Sequence, residues 1–324
     1  MSGANYNYVV DKNNNYYFKR SRVLSAGMLL KCLLISGLLL GPGCGPGFAL
    51  GTEKPWRKIA EKGDLLYQKR AYHAAASVYK QAVDMNNDNW QLHLRYGRAL
   101  SRIGRSKEAL AELFQVLFLN DKEPLLNVPA RAEIAAILLK QGNYDEAGGQ
   151  LKQILELNPE DMDVRGNYAV CLERLGFIEL AVEEFNLVAR ARPNSSVAFY
   201  NLGNALFKKG DFERAKLSFK RAIGLNPNNY LAIVALGRSH MALEENQLAL
   251  IVLKKAVERN PSNHYAYLAL GELYENTGAK GDALEAYKKA IQISPRDPAS
   301  KAALSKLLDN SKSLVAGDRL KLMR

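Results

Sequence analysis

Residues 196–229 read SVAFYNLGNALFKKGDFERAKLSFKRAIGLNPNN, and this stretch decides the fold. Phe199, Leu202, Gly203 and Leu206 fall at i, i+3, i+4 and i+7, the spacing of one helix face. Gly210-Asp211 interrupts the run as a helix stop followed by an N-cap. A second apolar stripe follows at Ala215, Phe219 and Ala222. Pro227 then closes the segment, because proline cannot continue a helix. The expected structure is helix, tight turn, helix, turn.

The phrase recurs on both sides. Asn158-Pro159, Arg192-Pro193, Asn226-Pro227, Asn260-Pro261 and Ser294-Pro295 follow one another at intervals of 34 residues. A fixed period in this range marks stacked helix pairs that share one continuous core. Small residues keep the same register: Gly63, Gly97, Ala135, Ala169, Gly203, Gly237 and Gly271 in the first helices, and Ala75, Ala109, Ala147, Ala181, Ala215, Ala249 and Ala283 in the second. Glycine inside a helix costs about 1 kcal/mol relative to alanine, so its recurrence predicts a close helix crossing at positions such as Gly203 and Ala215. Tyr79, Leu113, Leu151, Phe185, Phe219, Leu253 and Tyr287 supply a large apolar residue at a third register.

Small, large and proline positions in this order resemble the tetratricopeptide repeat. The resemblance implies an all-α fold: a right-handed superhelical solenoid of seven helix-turn-helix repeats plus a C-terminal capping helix. The repeats span Trp56–Asn89, Trp90–Glu123, Val128–Asp161, Met162–Ser195, Ser196–Asn229, Tyr230–Asn263 and His264–Asp297. The first two lack the closing proline and carry Asn87 and Asp121 there. The organisation read from this is an extension with a signal or anchor segment over 1–51, the array over 52–310 with its cap at 298–310, and a basic tail over 311–324. Pro124–Asn127 reads as a longer loop, which costs little, with a local break in the superhelix as the alternative. In the cap, Ala299, Ala303 and Leu307 are expected to cover the end of the stack.

Little in the chain points to catalysis. His73, His93, His240 and His264 are dispersed, and His93 and His240 stand at registers that are apolar elsewhere, so packing is the expected role of those two. No phosphate-binding glycine loop, nucleophile elbow or zinc-protease motif is present. The chain is therefore not expected to be an enzyme, and no cofactor or metal is implied. Cys171, at a register held by Ala99 and Ala205, reads as a small buried thiol. The net charge of +12 is interspersed with acids and is not joined to stacking aromatics, so nucleic acid is not the expected partner.

The front of the chain carries a compartment signal. Lys19, Arg20, Arg22 and Lys31 precede the apolar run Cys32–Leu40, and small residues at Ala49 and Gly51 follow. This order reads as a secretory signal, with an uncleaved anchor as the alternative. Translation from Met28 would leave a shorter signal, making Met1–Tyr17 a misassigned start or a disordered extension. Gly43-Cys44 resembles a lipoprotein cleavage site, with Cys44 as the lipidated residue, although Pro42 departs from that pattern. The expected location is exported, periplasmic or membrane-anchored, with membrane association through the N-terminus; a cytoplasmic adaptor is the alternative.

In the family resembled, the first helix of each repeat lines a concave groove that receives other proteins. Arg95, Arg98 and Arg102 form a basic stripe there, able to meet a carboxylate-bearing peptide or to pair with Glu61 and Asp64. Asn167, Asn201 and Asn204 offer amides that bond an extended backbone from either side, resembling the asparagine ladder of O-linked N-acetylglucosamine transferases. Arg238 completes the candidate peptide-binding set. Leu231, Val234, Met241, Tyr265 and Leu268 are expected to face an apolar partner segment. The function expected is a scaffold that holds a peptide or helical segment during cell-envelope assembly, with a substrate-recruiting subunit of a separate enzyme as the alternative.

Overall fold

Asn89, Asp161, Ser195, Asn229 and Asn263 each accept a hydrogen bond from a backbone N–H of the helix that follows, satisfying donors that a helix start leaves open. These caps set the frame in a computed structural model, which describes residues 54–309 and the backbone of two short strands. The strands, β1 (Asn5–Val10) and β2 (Tyr16–Ser21), pair antiparallel with Tyr8 opposite Phe18. For Met1–Tyr17 the expectation was a misassigned start or a disordered extension. The tyrosine- and valine-rich runs 5–10 and 16–21 suit paired strands. The signal segment, Cys44 and the tail from 311 lie outside the described residues.

From residue 54 onward the described chain is all helix and turn, in two compact bodies divided at Leu175 and Gly176. The N-terminal body holds α1 (Pro55–Gln68), α2 (Tyr72–Met85), α3 (Trp90–Arg102), α4 (Ser106–Leu119), α5 (Pro124–Gln141), α6 (Tyr144–Leu157) and α7 (Met162–Arg174). The C-terminal body holds α8 (Ile178–Ala191), α9 (Ser196–Lys209), α10 (Phe212–Leu225), α11 (Tyr230–Ala242), α12 (Asn246–Arg259), α13 (His264–Asn276) and α14 (Lys280–Ile293), followed by α15, residues 298–309. Within each body consecutive helices pack against one another. The alanine of every second helix, from Ala75 to Ala283, is fully buried.

The recurring glycines have a more specific role than helix crossing alone. A β-carbon on Gly63 would lie 2.5 Å from the Tyr79 ring, one on Gly97 2.9 Å from Leu113, and one on Gly237 2.5 Å from Leu253. Each glycine thus makes room for the large side chain that the second helix of its own repeat drives into the core. Between the paired helices the backbone turns through the left-handed region at Gly104, Gly142, Gly210 and Gly278, but also at Arg70 (φ 61°) and Glu244 (φ 60°).

Three expectations are corrected. Pro124–Asn127 is not loop: it forms the first turn of α5, where proline's missing N–H has no helical partner to lose, and Asn127 donates to the Asn120 carbonyl at 2.9 Å. The capping face holds at Ala303 and Leu307 but not at Ala299. Ala299 is exposed, while Ser300, Ala303, Leu304 and Leu307 turn inwards, because Asp297 accepts from the Ser300 N–H and hydroxyl and fixes the start of the helix. Finally, Val234 and Leu268 are 4% and 3% exposed, so they belong to the core and not to an open apolar surface.

Candidate functional site

α3 carries the three predicted arginines along one face, and each is engaged inside the N-terminal body. Arg95 Nε stands 3.4 Å from Asp64 on α1. Arg98 Nε stands 3.3 Å from Glu133 on α5, an ion pair without the alignment of a hydrogen bond. Arg102 Nε donates to the Tyr67 hydroxyl on α1 at 3.3 Å. Asp64 also accepts from the Tyr79 hydroxyl at 2.7 Å, which ties that carboxylate to the packed core of its repeat. The basic stripe therefore laces α3 to the first helices on either side. Asp64 was a predicted partner; Glu133 and Tyr67 were not.

The C-terminal body treats Arg238 in the same way. Its guanidinium forks onto Glu272, one repeat further on, with Nε and Nη2 each 3.1 Å from a carboxylate oxygen. Two parallel bonds in that geometry hold the side chain in place. The fork links α11 to α13 and leaves Arg238 already partnered.

The asparagines differ. Asn201 and Asn204 lie on α9, both half-buried, and Asn167 lies buried on α7 of the other body. None of the three amides has a hydrogen-bond partner among the described residues. The flanking residues Leu202 and Gly203 sit in the core, so Asn201 and Asn204 are held on a fixed helix face. Each offers a donor and an acceptor side by side, which matches the alternating groups of a peptide backbone.

Two polar clusters were not read from the sequence. Buried His93 bonds Glu112 on α4 through Nδ1 at 2.6 Å and the Asn87 carbonyl through Nε2 at 2.7 Å. Burial pushes its pKa down, but these two acceptors outweigh burial and hold it above the ordinary value. In the C-terminal body His240 Nδ1 bonds Glu245, which also receives Lys216 from α10 at 3.1 Å. His240 and Lys216 in turn keep the Glu245 carboxyl below its usual range. Packing was the expected role for His93 and His240. Both are buried as expected, and partners 19 and 5 residues away add a fixed polar contact to each; nothing in local spacing marks the longer one. Cys171 is buried as expected, and burial pushes its thiol up to about 12. Among the described residues no group of three or more His, Cys, Asp and Glu is placed to hold a metal ion, and no helix is long and apolar enough to cross a membrane.

Comparison with known proteins bears on the array. Tetratricopeptide repeat models match residues 66–134, 138–203, 196–229 and 234–298, which together take in most of the helical region. Among curated proteins, mouse DnaJ homolog subfamily C member 3 is 31% identical over 117 residues, covering 36% of this chain and 22% of that protein. Human protein O-mannosyl-transferase TMTC1 is 27% identical over 161 residues, covering 48% of this chain and 18% of that protein. The chain thus spans less than a third of the length of the curated relatives it matches. Among solved structures, a tetratricopeptide repeat protein from Parabacteroides merdae superposes with a TM-score of 0.61 at 17% identity, covering 78% of this chain and 98% of that one. YrrB, described as a TPR protein with an unusual peptide-binding site, superposes with a TM-score of 0.52 at 20% identity, covering 59% of this chain and 96% of that one.

Proposed function

The chain belongs to the tetratricopeptide repeat family, and we propose that it is a scaffold whose first helices hold a peptide or helical segment of another protein. Proteins of this family generally bind other proteins. One observation carries the finer reading: Asn201 and Asn204 are presented on one helix face without a partner among the described residues, while Arg95, Arg98, Arg102 and Arg238 are all engaged within the fold. An amide on a fixed face bonds an incoming main chain without losing a bond of its own. YrrB's described peptide-binding site supports the same use of the fold.

We place the protein at the cell envelope, on the strength of the basic and apolar order of residues 19–40. The partner is then a component of an envelope assembly. Affinity capture of C-terminally tagged protein from crosslinked cells tests both parts, with mass spectrometry of the partners and of the bait's own N-terminus. A processed N-terminus and an envelope partner lost in Asn201→Ala/Asn204→Ala are expected. An intact Met1 with cytosolic partners that are indifferent to that substitution would overturn the reading.

A further inference from the structure

The second helices of the last three repeats share an outer face that the peptide-binding reading does not use. Lys220-Arg221 on α10, Lys254-Lys255 on α12 and Lys288-Lys289 on α14 stand 34 residues apart, and all six side chains are exposed. None forms an ion pair among the described residues; Arg221 bonds the Pro193 carbonyl and stands over the Phe199 ring at 5.8 Å, and Lys289 bonds Gln292. The same register holds Lys80-Gln81, Phe114-Gln115, Lys152-Gln153 and Asn186-Leu187 in the earlier repeats, so the doubled charge is confined to the C-terminal body.

The rest of this face is equally regular. Leu217, Lys220, Arg221 and Gly224 fall at i, i+3, i+4 and i+7 on α10, opposite buried Ala215, Phe219 and Ala222. Ile251, Lys254, Lys255 and Glu258 do so on α12, and Glu285, Lys288, Lys289 and Gln292 on α14. Glu258 and Glu285 bring negative charge to the arc, with Glu213 and Asp282 in the first turns of α10 and α14; Glu213 is paired with Lys216. Leu217 and Ile251 are each 62% exposed at the same register, with Leu248 exposed one turn before Ile251. The face therefore combines unpaired cations with outward-pointing aliphatic side chains.

We propose that this face, on α10, α12 and α14, docks the array on an anionic lipid surface. Lipid phosphates meet the six cations, whose long stems let the charges reach the headgroups from a helix lying flat. Leu217 and Ile251 then enter the headgroup–acyl boundary, which takes up apolar side chains beside basic ones. An acidic polypeptide would satisfy the cations but would leave the two aliphatic side chains without an apolar environment. Docking through the second helices leaves α9 and its amides free to hold a partner.

The test uses the full chain and vesicles of phosphatidylcholine with about 30% phosphatidylglycerol, against phosphatidylcholine alone. Co-sedimentation is expected to favour the anionic vesicles, to fall by at least about tenfold in Lys254→Glu/Lys255→Glu, and to be lost near 0.5 M salt, where screening is strong. That variant retains residues 1–53, so binding that survives it belongs elsewhere and overturns the proposal. In Ile251→Trp, quenching by brominated lipid beyond that of the native tryptophans reports insertion of this face, and its absence overturns the assignment. Binding to polyglutamate in preference to vesicles, with the same sensitivity to Lys254→Glu/Lys255→Glu, would assign the face to an acidic polypeptide and overturn it equally.

Discussion

A β-carbon placed on Gly203 would lie 2.6 Å from Cε1 of Phe219, sixteen residues later on the partner helix. The same relation joins Gly271 to Tyr287, where the approach is closer still. Gly203→Ala gains about 1 kcal/mol of helix propensity but faces an overpacking cost of about 1–3 kcal/mol. Phe219 is 1% exposed and has little room to yield, so the steric cost prevails. Hydrogen exchange of α9 and α10 is expected to report a net loss of about 1 kcal/mol or more. Gly203→Ala/Phe219→Leu recreates the Ala135 and Leu151 combination of an earlier repeat. Its loss is expected to fall short of the two single losses combined by about 1 kcal/mol.

Arg70 and Glu244 occupy the left-handed turn position that glycine holds at Gly104, Gly142, Gly210 and Gly278. A residue with a β-carbon costs about 1–2 kcal/mol there. Arg70→Gly and Glu244→Gly are each expected to raise stability by about 1 kcal/mol, and Gly210→Ala to lower it by a similar amount. Urea midpoints at constant slope check all three. An unchanged midpoint in Glu244→Gly would show that its turn is not strained.

His93 gives the N-terminal body a pH dependence with a definite sign. Burial lowers its pKa, but Glu112, the Asn87 carbonyl and the nearby charge of Asp88 raise it above the ordinary 6.5. A group whose folded pKa is raised contributes stability that is complete below the unfolded value and is lost as pH rises through the folded value. Stability of α3 and α4 is expected to decline from about pH 6.5 upward, and the His93 ring protons to titrate above that point in NMR. His93→Gln should abolish this portion of the slope; an unchanged slope would assign it to other groups.

Arg238 and Glu272 are both about one-third exposed, so their fork contributes less than about 1 kcal/mol. Arg238→Ala is expected to lower the melting temperature slightly and to alter partner affinity less than Asn204→Ala does. A calorimetric titration in which Arg238→Ala is the more damaging substitution would shift the binding surface to α11 and α13.

The helices were legible because the small residues keep register in every repeat and side-chain caps open five of the seven first helices. Gly203 with Phe219 was legible as two registers, though their mutual contact needed the structure. What local pattern missed was set by geometry across repeats. Glu133 and Glu272 reach Arg98 and Arg238 from the next first helix, 35 and 34 residues on. His93 finds Glu112 on another helix, beyond the reach of spacing rules. At the start of the cap Ser300 turns inwards in place of Ala299, because Asp297 bonds Ser300 and sets the first turn of α15. The basic dyads at 220, 254 and 288 were visible in the aligned registers, but interspersed acids mask them in any plain count of charge.

Photo-crosslinking from position 204, with position 292 as the control, tests the scaffold reading most directly. An unnatural photoreactive residue at Asn204 in cells is expected to yield a discrete protein adduct, mapped by mass spectrometry to one short segment of the partner and lost when Asn201→Ala is added. Adducts equally frequent from position 292, or none from 204, would contradict binding on the α9 face.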